Sequence, residues 1–338
     1  MYIYILMKLV VSSYTNFKNL AHKPKGIVNK NAITFNNKTI NSSLLYNPAF
    51  IFHNKEYNYF YVCLESINEG NIITIDSSLN ILNNVSSNGK SSCYLEYDNN
   101  KNIININYWD SSFSIHSIKN GILQDSIYTY REPQKIICKT LTDHLTNRQS
   151  ECHFHSALFY KDVLFIPDLG LDKIHIFNSN NYNKISEYQL SKNSGPRYIR
   201  KINNLIFIIN ELSSTISMCK YIDNFEIIQT ISTIPENYKD YNTCGNLLVH
   251  PSNKYIFASN RGHNSIAIYK LNNKLELINI FNCGGKTPRH FTFNKNGDKV
   301  FVANQDTNNI SIFNFNNNNL IFSHNIKINS PNYILSLT

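Results

Sequence analysis

The sequence lacks any apolar run approaching the roughly 18 to 20 residues that a membrane-spanning helix needs, so we expect a soluble globular protein without a membrane partner. Charged residues are also few, at 16% of the 338 residues. Aromatic residues reach 13%, which excludes wholesale disorder. A chain of this length can form two domains or one large all-β domain, and its core is large enough to need no disulfides or metals for stability.

Cysteine motifs and basic runs are absent. The seven cysteines are odd in number, widely spread and without a Cys-x-x-Cys pair, which favours reduced thiols in a cytoplasmic protein over a disulfide framework or a zinc site. The net charge is +9, but no run of five Lys or Arg occurs, so nucleic-acid binding is not expected. We attribute the excess of Asn, which reaches 55 residues, and of Ile and Lys to drift in a biased genome.

Several familiar enzyme motifs are also missing. The chain has no Gly-x-Gly-x-x-Gly, Walker A, Gly-x-Ser-x-Gly or His-Glu-x-x-His sequence, so nothing indicates dinucleotide binding, nucleotide hydrolysis, a serine nucleophile or a zinc protease. The apolar segment from Met1 to Val11 lacks a basic region and an Ala-x-Ala site. It is predicted to be the first strand and not a signal peptide.

A repeated pattern organises the chain. An apolar strand ends at an Asn or Asp, a polar turn follows, and a second strand carries apolar residues six and eight positions after this anchor. Five copies share these offsets, with anchors at Asn107, Asp168, Asn210, Asn260 and Asn304. Apolar residues alternate with a period of two in these strands, and no long segment has helical periodicity, which predicts an all-β fold.

Two weaker copies, near residues 13 and 64, raise the count to seven, and 338 residues divided by seven gives about 48 per repeat. That length is typical of a four-stranded propeller blade. We therefore predict one domain over residues 1–338, a seven-bladed β-propeller with blades anchored near 13, 64, 107, 168, 210, 260 and 304. The strand from Tyr333 to Leu337 should pair with N-terminal strands and close the ring. The run from Asn314 to Asn319 should form a hairpin loop.

Three arginines occupy related positions in these repeats. Arg197 and Arg289 each follow a proline and precede an apolar run, and Arg261 directly follows the anchor Asn260. On inner strands they would point into the central channel, where converging guanidiniums bind an anion through paired hydrogen bonds. We predict an anion site there, with separate surface salt bridges as the alternative.

An acidic residue occurs at one of these positions as well. Glu211 follows the anchor Asn210, just as Arg261 follows its own anchor in the next repeat. This predicts a channel mouth of mixed charge, in which a carboxylate could orient water or act as a general base. The alternative is a solvated turn residue.

His153 and His155 would share one face of a strand, because side chains alternate with a period of two. A His-x-His pair can bind a metal, but no supporting carboxylates accompany this one, so no metal is predicted. We favour acid–base work or substrate hydrogen bonding by His155, with a structural role as the alternative. Cys152 is a conceivable nucleophile but a less favoured one.

In these stretches the sequence resembles the propeller-type lactonase family, which includes bacterial-type 6-phosphogluconolactonase and fungal carboxy-muconate cyclase. The resemblance covers about residues 148 to 313, in family order and near family spacing. The matching stretches are His153-Phe154-His155-Ser156, residues 167–174, Gly195-Pro196-Arg197, residues 210–215, residues 258–263, residues 284–290 and residues 302–306.

The resemblance implies a seven-bladed propeller with its active site at the channel mouth. It implies hydrolysis of a sugar lactone, 6-phosphoglucono-δ-lactone to 6-phosphogluconate in the pentose phosphate pathway, without a metal or other cofactor. By this resemblance, the predicted catalytic residues are His155, Arg197 and Glu211, and Arg261 and Arg289 are predicted to bind substrate. We add His290 and Asn260, their sequence neighbours, to the predicted substrate-binding residues.

These residues suit the reaction, because Glu211 or His155 could take a proton from water and Arg197 could stabilise the oxyanion. Arg261 and Arg289 could hold a phosphate or carboxylate. The chain also departs from the family pattern at four positions that bear on the substrate: Tyr198 replaces a His, Cys152 a Pro and Asn246 an acidic residue, and the bulky Trp109 is expected to narrow the cleft.

Two other functions use the same features. A cycloisomerase acting on a carboxylated muconate would use the same arginines and the same acid–base pair. A non-catalytic propeller that serves as an interaction platform would instead carry an apolar patch over the channel mouth. We expect a cytoplasmic protein whose partner is a small anionic sugar lactone and not a nucleic acid. The sequence leaves the oligomeric state open, with a monomer as one option.

Overall fold

Seven four-stranded antiparallel sheets make up the computed structural model, which describes residues 8–20, 22–35, 38–133 and 148–338. The predicted all-β seven-bladed propeller is confirmed. The only helical element among these residues is a short 3-10 turn at Phe17–Asn19. Within the same residues no helix is long and apolar enough to cross a membrane.

Each sheet is one blade, and its innermost strand lies at the central channel. From the channel outward, blade 1 has β28 (Pro331–Ser336), β1 (Leu9–Ser13), β2 (Ile33–Phe35) and β3 (Lys38–Ile40); blade 2 has β4 (Pro48–Asn54), β5 (Tyr59–Glu65), β6 (Gly70–Ile75) and β7 (Ile81–Ser86); blade 3 has β8 (Ser92–Tyr97), β9 (Ile103–Asn107), β10 (Ser112–Lys119) and β11 (Ile122–Arg131). Blade 4 has β12 (Leu158–Tyr160), β13 (Val163–Asp168), β14 (Lys173–Asn178) and β15 (Lys184–Gln189); blade 5 has β16 (Pro196–Ile202), β17 (Leu205–Asn210), β18 (Thr215–Tyr221) and β19 (Phe225–Ser232). Blade 6 has β20 (Thr243–Val249), β21 (Tyr255–Arg261), β22 (Ser265–Leu271) and β23 (Leu275–Asn282); blade 7 has β24 (Pro288–Phe293), β25 (Lys299–Asn304), β26 (Asn309–Asn316) and β27 (Asn319–Lys327).

The ring closes as predicted, because the last strand pairs with the first described one. β28 runs antiparallel to β1, with Ile334 opposite Val11 and Tyr333 opposite Ser12. Blade 1 is thus built from both ends of the chain, and the inner edge of β1 is paired. β1 begins at Leu9, and Met1–Met7 of the predicted N-terminal strand lie outside the described residues.

The predicted anchors lie at or next to the end of the second strand of each blade. The buried amides of Asn107, Asn260 and Asn304 each donate to a backbone carbonyl in the segment that enters the blade from its predecessor, at 2.9, 2.7 and 3.1 Å. A buried backbone acceptor needs such a partner. These three asparagines therefore tie neighbouring blades together, which is a physical reason for the pattern at their positions.

The two apolar positions after each anchor are buried in the core. Phe113, Ile174, Ile216, Ile266 and Ile310 are all fully buried in the third strand of their blades. They pack between adjacent sheets, where alternating apolar residues exclude water.

The Asn-rich run forms a hairpin, but its loop is shorter than predicted. Only Asn317 and Asn318 lie outside β26 and β27, and both have positive φ, at 48° and 67°. Two central residues with positive φ fit the turn that matches the twist of paired strands, and Asn tolerates that conformation well.

The inner strand of nearly every blade begins with a β-bulge. In β16, Pro196 pairs with Asn210 and Tyr198 with Ile209, so Arg197 has no partner of its own. The same shift occurs in β4, β8, β20, β24 and β28. A bulge redirects its extra side chain, and these bulges lie where the strands meet the central channel.

The six described cysteines, at 63, 93, 152, 219, 244 and 283, are unpaired and buried. Cys138 lies outside the described residues.

Candidate functional site

A cavity of about 200 Å³ opens at the centre of the ring, and residues from all seven blades line it. Two structural positions supply most of its wall. The bulge position of the inner strand contributes Ala49, Cys93, Arg197, Arg289 and Asn332, and the position after the anchor contributes Glu65, Tyr108, Glu211 and Arg261. His155 belongs to the first group, because it follows Phe154, which forms a bridge with the anchor Asp168.

Local backbone geometry brings Glu211 beside Arg197. Gly195 has φ +60°, and a Cβ there would lie 2.5 Å from Leu212, so glycine suits this turn. Its carbonyl accepts the Glu211 N–H at 2.7 Å. The Gly-Pro-Arg sequence therefore places the bulged arginine directly opposite the residue that follows the anchor.

Glu211 is almost completely buried and is surrounded by three guanidiniums. Its Oε1 accepts from Arg148 Nη2 at 2.7 Å. Its Oε2 lies 2.9 Å from Arg261 Nη2 and 3.1 Å from Arg197 Nε. We call Glu211, Arg148, Arg197, Arg261 and His155 the Glu211 cluster.

Three nearby cations determine the ionisation of Glu211. Burial alone would raise the pKa of this carboxyl, but Arg261, Arg148 and Arg197 outweigh it and hold the pKa well below the ordinary value. Burial and the repulsion from the other arginines together lower the pKa of Arg261 to about 10, although Glu211 attracts its positive charge. At neutral pH, Glu211 is a carboxylate and Arg261 stays positive.

His155 contacts the same cluster through its ring. Arg197 Nη1 lies in hydrogen-bond contact with His155 Nε2. Burial and then the Arg197 charge lower the pKa of His155 well below its ordinary value, so the imidazole is neutral. The three residues predicted to be catalytic, His155, Arg197 and Glu211, therefore do meet at one point.

A second carboxylate lies elsewhere in the cavity wall. Glu65 Oε2 accepts from the Tyr14 hydroxyl at 2.7 Å and from Arg289 Nη2 at 3.3 Å. Glu65 Oε1 faces His22 Nδ1 at 3.7 Å. Burial, followed by Arg289 and other arginines, lowers the pKa of His22 well below its ordinary value. We call Glu65, Tyr14, Arg289 and His22 the Glu65 cluster.

Aromatic side chains complete the wall. Tyr108 stacks on His153 with ring centroids 4.5 Å apart, and Trp109 packs edge-on against both rings. Tyr198 lies 4.9 Å from the Arg197 guanidinium, in a cation–π contact. Trp109 and Tyr198 both line the cavity, so two of the departures from the family pattern face the site.

Some predicted residues lie elsewhere or act differently. Asn260 is fully buried outside the cavity wall, and its amide bonds to Thr233 and Ser265, so its assignment to substrate binding is withdrawn. His290 does line the cavity, stacked on Tyr333 at 3.9 Å. Its Nδ1 accepts the Ile334 N–H at 3.3 Å, and burial followed by nearby arginines lowers its pKa well below the ordinary value.

The segment with the two neighbouring histidines is not a regular strand. Phe154 makes only an isolated bridge, and His155 reaches the cavity whereas His153 does not. Cys152 is also buried away from the cavity, and burial followed by Asp168 raises the pKa of its thiol. A thiol that resists ionisation is a poor nucleophile, so the structure gives no support to catalysis by Cys152.

Potential metal ligands come together at another place. Within the described part of the chain, Glu132, His175 and Glu187 form the one group of three potential ligands, within 4.8 Å of one another. The two carboxylates already pair with Lys184, and Glu187 also pairs with Lys173. His153 and His155 are not part of this group.

Sequence reasoning missed four residues of the two clusters. Glu65 and Tyr14 follow the two weak anchors, so a stricter use of the repeat would have found them. Arg148 and His22 lie between strands, outside the repeat, and no spacing signal points to them. The sequence favours a surface or structural role for His22, but this residue lines the cavity.

Comparisons with known proteins agree with this architecture. The family described as Lactonase, 7-bladed beta-propeller, matches residues 8–334. An uncharacterized protein of Lactococcus lactis subsp. cremoris is 30% identical over 291 residues, covering 79% of this chain and 80% of that protein. A 6-phosphogluconolactonase of Formosa agariphila is 28% identical over 310 residues, covering 82% and 86%. A 6-phosphogluconolactonase of Bacillus subtilis is 24% identical over 290 residues, covering 79% and 80%.

Solved structures share the fold. The periplasmic gluconolactonase of Pseudomonas aeruginosa superposes with a TM-score of 0.82 at 17% identity, covering 98% of this chain and 99% of that one. A protein from Lactobacillus plantarum has the same TM-score at 20% identity, with the same coverage. With a family match over nearly the whole described chain, the protein belongs to the lactonase family of seven-bladed β-propellers.

Proposed function

We propose that this protein hydrolyses a phosphorylated sugar lactone, 6-phosphogluconolactone, to 6-phosphogluconate. The observation that carries the proposal is the charge of the cavity. Four guanidiniums face two carboxylates, and the three histidines His22, His155 and His290 have lowered pKa values, so the cavity carries a net charge of about +2. A phosphate monoester carries close to two negative charges at neutral pH, which this cavity would balance.

The distribution of charge favours one orientation of the substrate. The Glu211 cluster contains three arginines and one carboxylate and so holds the whole excess of positive charge. The Glu65 cluster contains one arginine and one carboxylate and is close to neutral. We therefore place the phosphate at the Glu211 cluster, where Arg197, Arg261 and Arg148 would bind it through charge-assisted hydrogen bonds.

Two relatives support the substrate class. The Formosa agariphila and Bacillus subtilis proteins are 6-phosphogluconolactonases, and each aligns over about four-fifths of this chain. Location in the cytoplasm and a place in the pentose phosphate pathway stay predictions.

The test is hydrolysis of freshly made 6-phosphogluconolactone, with the product measured through 6-phosphogluconate dehydrogenase and the spontaneous rate subtracted. We expect the wild type to exceed the spontaneous rate, and Arg197→Ala and Arg261→Ala to lower kcat/KM by about 100-fold or more, since each loses a charge-assisted contact in a shielded site. Arg131→Ala is the matched control, because Arg131 is 57% exposed and pairs with Asp110 on the surface. A wild-type rate equal to the spontaneous one would overturn the proposal.

The unphosphorylated lactone separates the role of the phosphate from that of the ring. If the excess positive charge serves the phosphate, glucono-δ-lactone should be a much poorer substrate, and it should be less sensitive to Arg261→Ala. Equal kcat/KM for the two lactones would contradict the assignment of the Glu211 cluster to phosphate binding.

A further inference from the structure

The general base of the reaction should be a carboxylate or imidazole with a free lone pair, and the two carboxylates of the cavity differ in this respect. Both oxygens of Glu211 are occupied by cations, with Arg148 on Oε1 and Arg261 and Arg197 on Oε2. A carboxylate held by three guanidiniums attracts a proton only weakly. Glu211 is well suited to holding the arginines in place and poorly suited to removing a proton from water.

His155 is a poor candidate as well. Its Nε2 is in contact with Arg197 Nη1, and the Arg197 charge would repel a proton arriving on the ring. The resemblance to the family leaves Glu211 and His155 as alternatives for the base, and the geometry weakens both.

Glu65 has the opposite arrangement. Its two hydrogen bonds, from Tyr14 and from Arg289, both fall on Oε2. Among the described residues, Oε1 faces His22 Nδ1 at 3.7 Å, which is too long for a hydrogen bond. Glu65 is paired with one arginine, against three for Glu211, and it lines the same cavity.

We infer that Glu65 is the general base of the lactonase reaction and that its Oε1 takes the proton from the attacking water. This assignment rests on the proposed function, since it names a further catalytic residue for the same reaction. The two contacts on Oε2 hold the carboxylate in place and leave Oε1 free to accept a proton in a side chain that lines the cavity.

The arrangement accounts for each atom of the hydrolysis. As the water oxygen bonds to the lactone carbonyl carbon, Glu65 Oε1 takes one water proton and the carbonyl π electrons move onto oxygen. Arg289, which contacts Glu65 and lines the same cavity, would stabilise that oxyanion. When the intermediate collapses, the bond between the carbonyl carbon and the ring oxygen breaks, and the ring oxygen receives the proton from Glu65. The product is the open-chain hydroxy acid, which then ionises.

The Glu65 and Glu211 clusters thus divide the work. The Glu211 cluster binds the phosphate, and the Glu65 cluster, close to neutral in total charge, carries out proton transfer at the lactone. Separation of this kind lets the base keep a usable lone pair in a cavity that is positive overall.

The experiment compares Glu65→Gln with Glu211→Gln, which are isosteric changes at the two carboxylates. For each variant, kcat is measured on 6-phosphogluconolactone and the Kd for 6-phosphogluconate by calorimetry, with circular dichroism as a check on folding. We expect Glu65→Gln to lower kcat by about 100-fold or more while Kd changes by less than about threefold. Glu211→Gln should instead change Kd by more than about tenfold, and its effect on kcat should be smaller than that of Glu65→Gln.

Chemical rescue adds a readout that a purely structural role would not move. In Glu65→Ala the shortened side chain leaves room for a small carboxylate, so added formate should restore turnover in proportion to its concentration. Glu211→Ala should show no such rescue.

The outcomes are distinguishable from failure of the proposed function. If the wild type hydrolyses the lactone and Glu65→Gln keeps more than about a third of kcat, this inference is overturned and the proposed function stands. If Glu211→Ala is rescued by formate and Glu65→Ala is not, Glu211 is the base. If the wild type has no activity above the spontaneous rate, both proposals fall.

Discussion

At the scale of single residues, Glu211 binds three guanidiniums that would otherwise repel one another inside the channel. The carboxylate is 1% exposed, so its charge is poorly screened by water. Removal of one partner from a buried ionic group is costly, because it leaves charges without compensation. Glu211 should therefore stabilise the fold as well as organise the site.

We predict that Glu211→Gln lowers the free energy of unfolding by about 3 kcal/mol at pH 7, measured by urea denaturation. The control is Glu187→Gln, whose carboxylate is 37% exposed beside Lys173 and Lys184 and which should cost less than about 1 kcal/mol. Equal losses in the two variants would contradict the role given to Glu211.

The stability difference between the wild type and Glu211→Gln should also depend on pH. Burial raises the pKa of Glu211, but the charges of Arg261, Arg148 and Arg197 lower it by more than burial raises it. The pKa therefore lies well below the ordinary value of 4.5. A carboxyl whose pKa is lower in the folded state than in the unfolded state stabilises the fold at every pH above its unfolded-state pKa. That stabilisation is lost as the pH falls from the unfolded-state pKa to the folded-state pKa. The difference between wild type and Glu211→Gln should therefore be constant from pH 7 to about 5 and then shrink by about 1.4 kcal/mol per pH unit. A difference that grows on acidification would show that the pKa is raised instead.

At this scale the sequence predicted the repeat-borne residues well and the others poorly. Arg197, Glu211, Arg261 and Arg289 were found because a repeat converts sequence position into position around the ring. Arg148 escaped because it lies between strands, where no period constrains it. Asn260 was misassigned for a related reason: the anchor amide is used by the fold itself, in a hydrogen bond to a backbone carbonyl.

At the scale of structural elements, the β-bulge of the inner strand decides which side chains reach the cavity. A regular strand would place one residue opposite each partner, whereas the bulge adds one that has none. The same position carries Arg197 in blade 5, Arg289 in blade 7 and Ala49 in blade 2. The element is constant around the ring, and the residue placed on it sets the local charge.

A charge placed on the blade 2 bulge should therefore change the binding of an anion in the cavity. Ala49→Asp would reduce the net cavity charge from about +2 to about +1, and we expect it to weaken the binding of 6-phosphogluconate by about tenfold or more. Ala49→Asn has nearly the same shape without the charge and should change the Kd by less than about threefold. Isothermal titration calorimetry on both variants measures the difference. If the two variants bind alike, the Ala49 side chain does not face the bound anion.

The strands were easier to predict from the sequence than the bulges. Alternation with a period of two and the repeated anchors located the second and third strands of the repeats; β17, for example, ends at the anchor Asn210. A bulge breaks that alternation by one residue and leaves no clear mark in the sequence. The placement of Arg197 and Arg289 after a proline hinted at inward-pointing side chains, and the backbone mechanism became clear only from the strand register.

At the scale of the whole molecule, the cavity exists only because the ring closes. Its wall takes residues from every blade, among them Asn332 and Tyr333 of β28. The central charges are therefore held at their distances by strands far apart in the sequence. Any change that opens blade 1 should disturb binding and folding together.

The closing strand offers a direct test of this dependence. Ile334 is 1% exposed, lies opposite Val11 in the β1–β28 pair and donates its backbone N–H to His290 Nδ1. Ile334→Asp would bury an unpaired charge in this contact, and we expect a loss of more than about 3 kcal/mol in the free energy of unfolding, with weaker binding of 6-phosphogluconate. Ile321→Asp makes the same change in the outer strand β27, at a side chain that is 56% exposed, and should cost less than about 1 kcal/mol. Urea denaturation measures the stability of both variants, and calorimetry measures their binding of 6-phosphogluconate. If Ile334→Asp matched Ile321→Asp in both stability and binding, the fold would not depend on ring closure at blade 1.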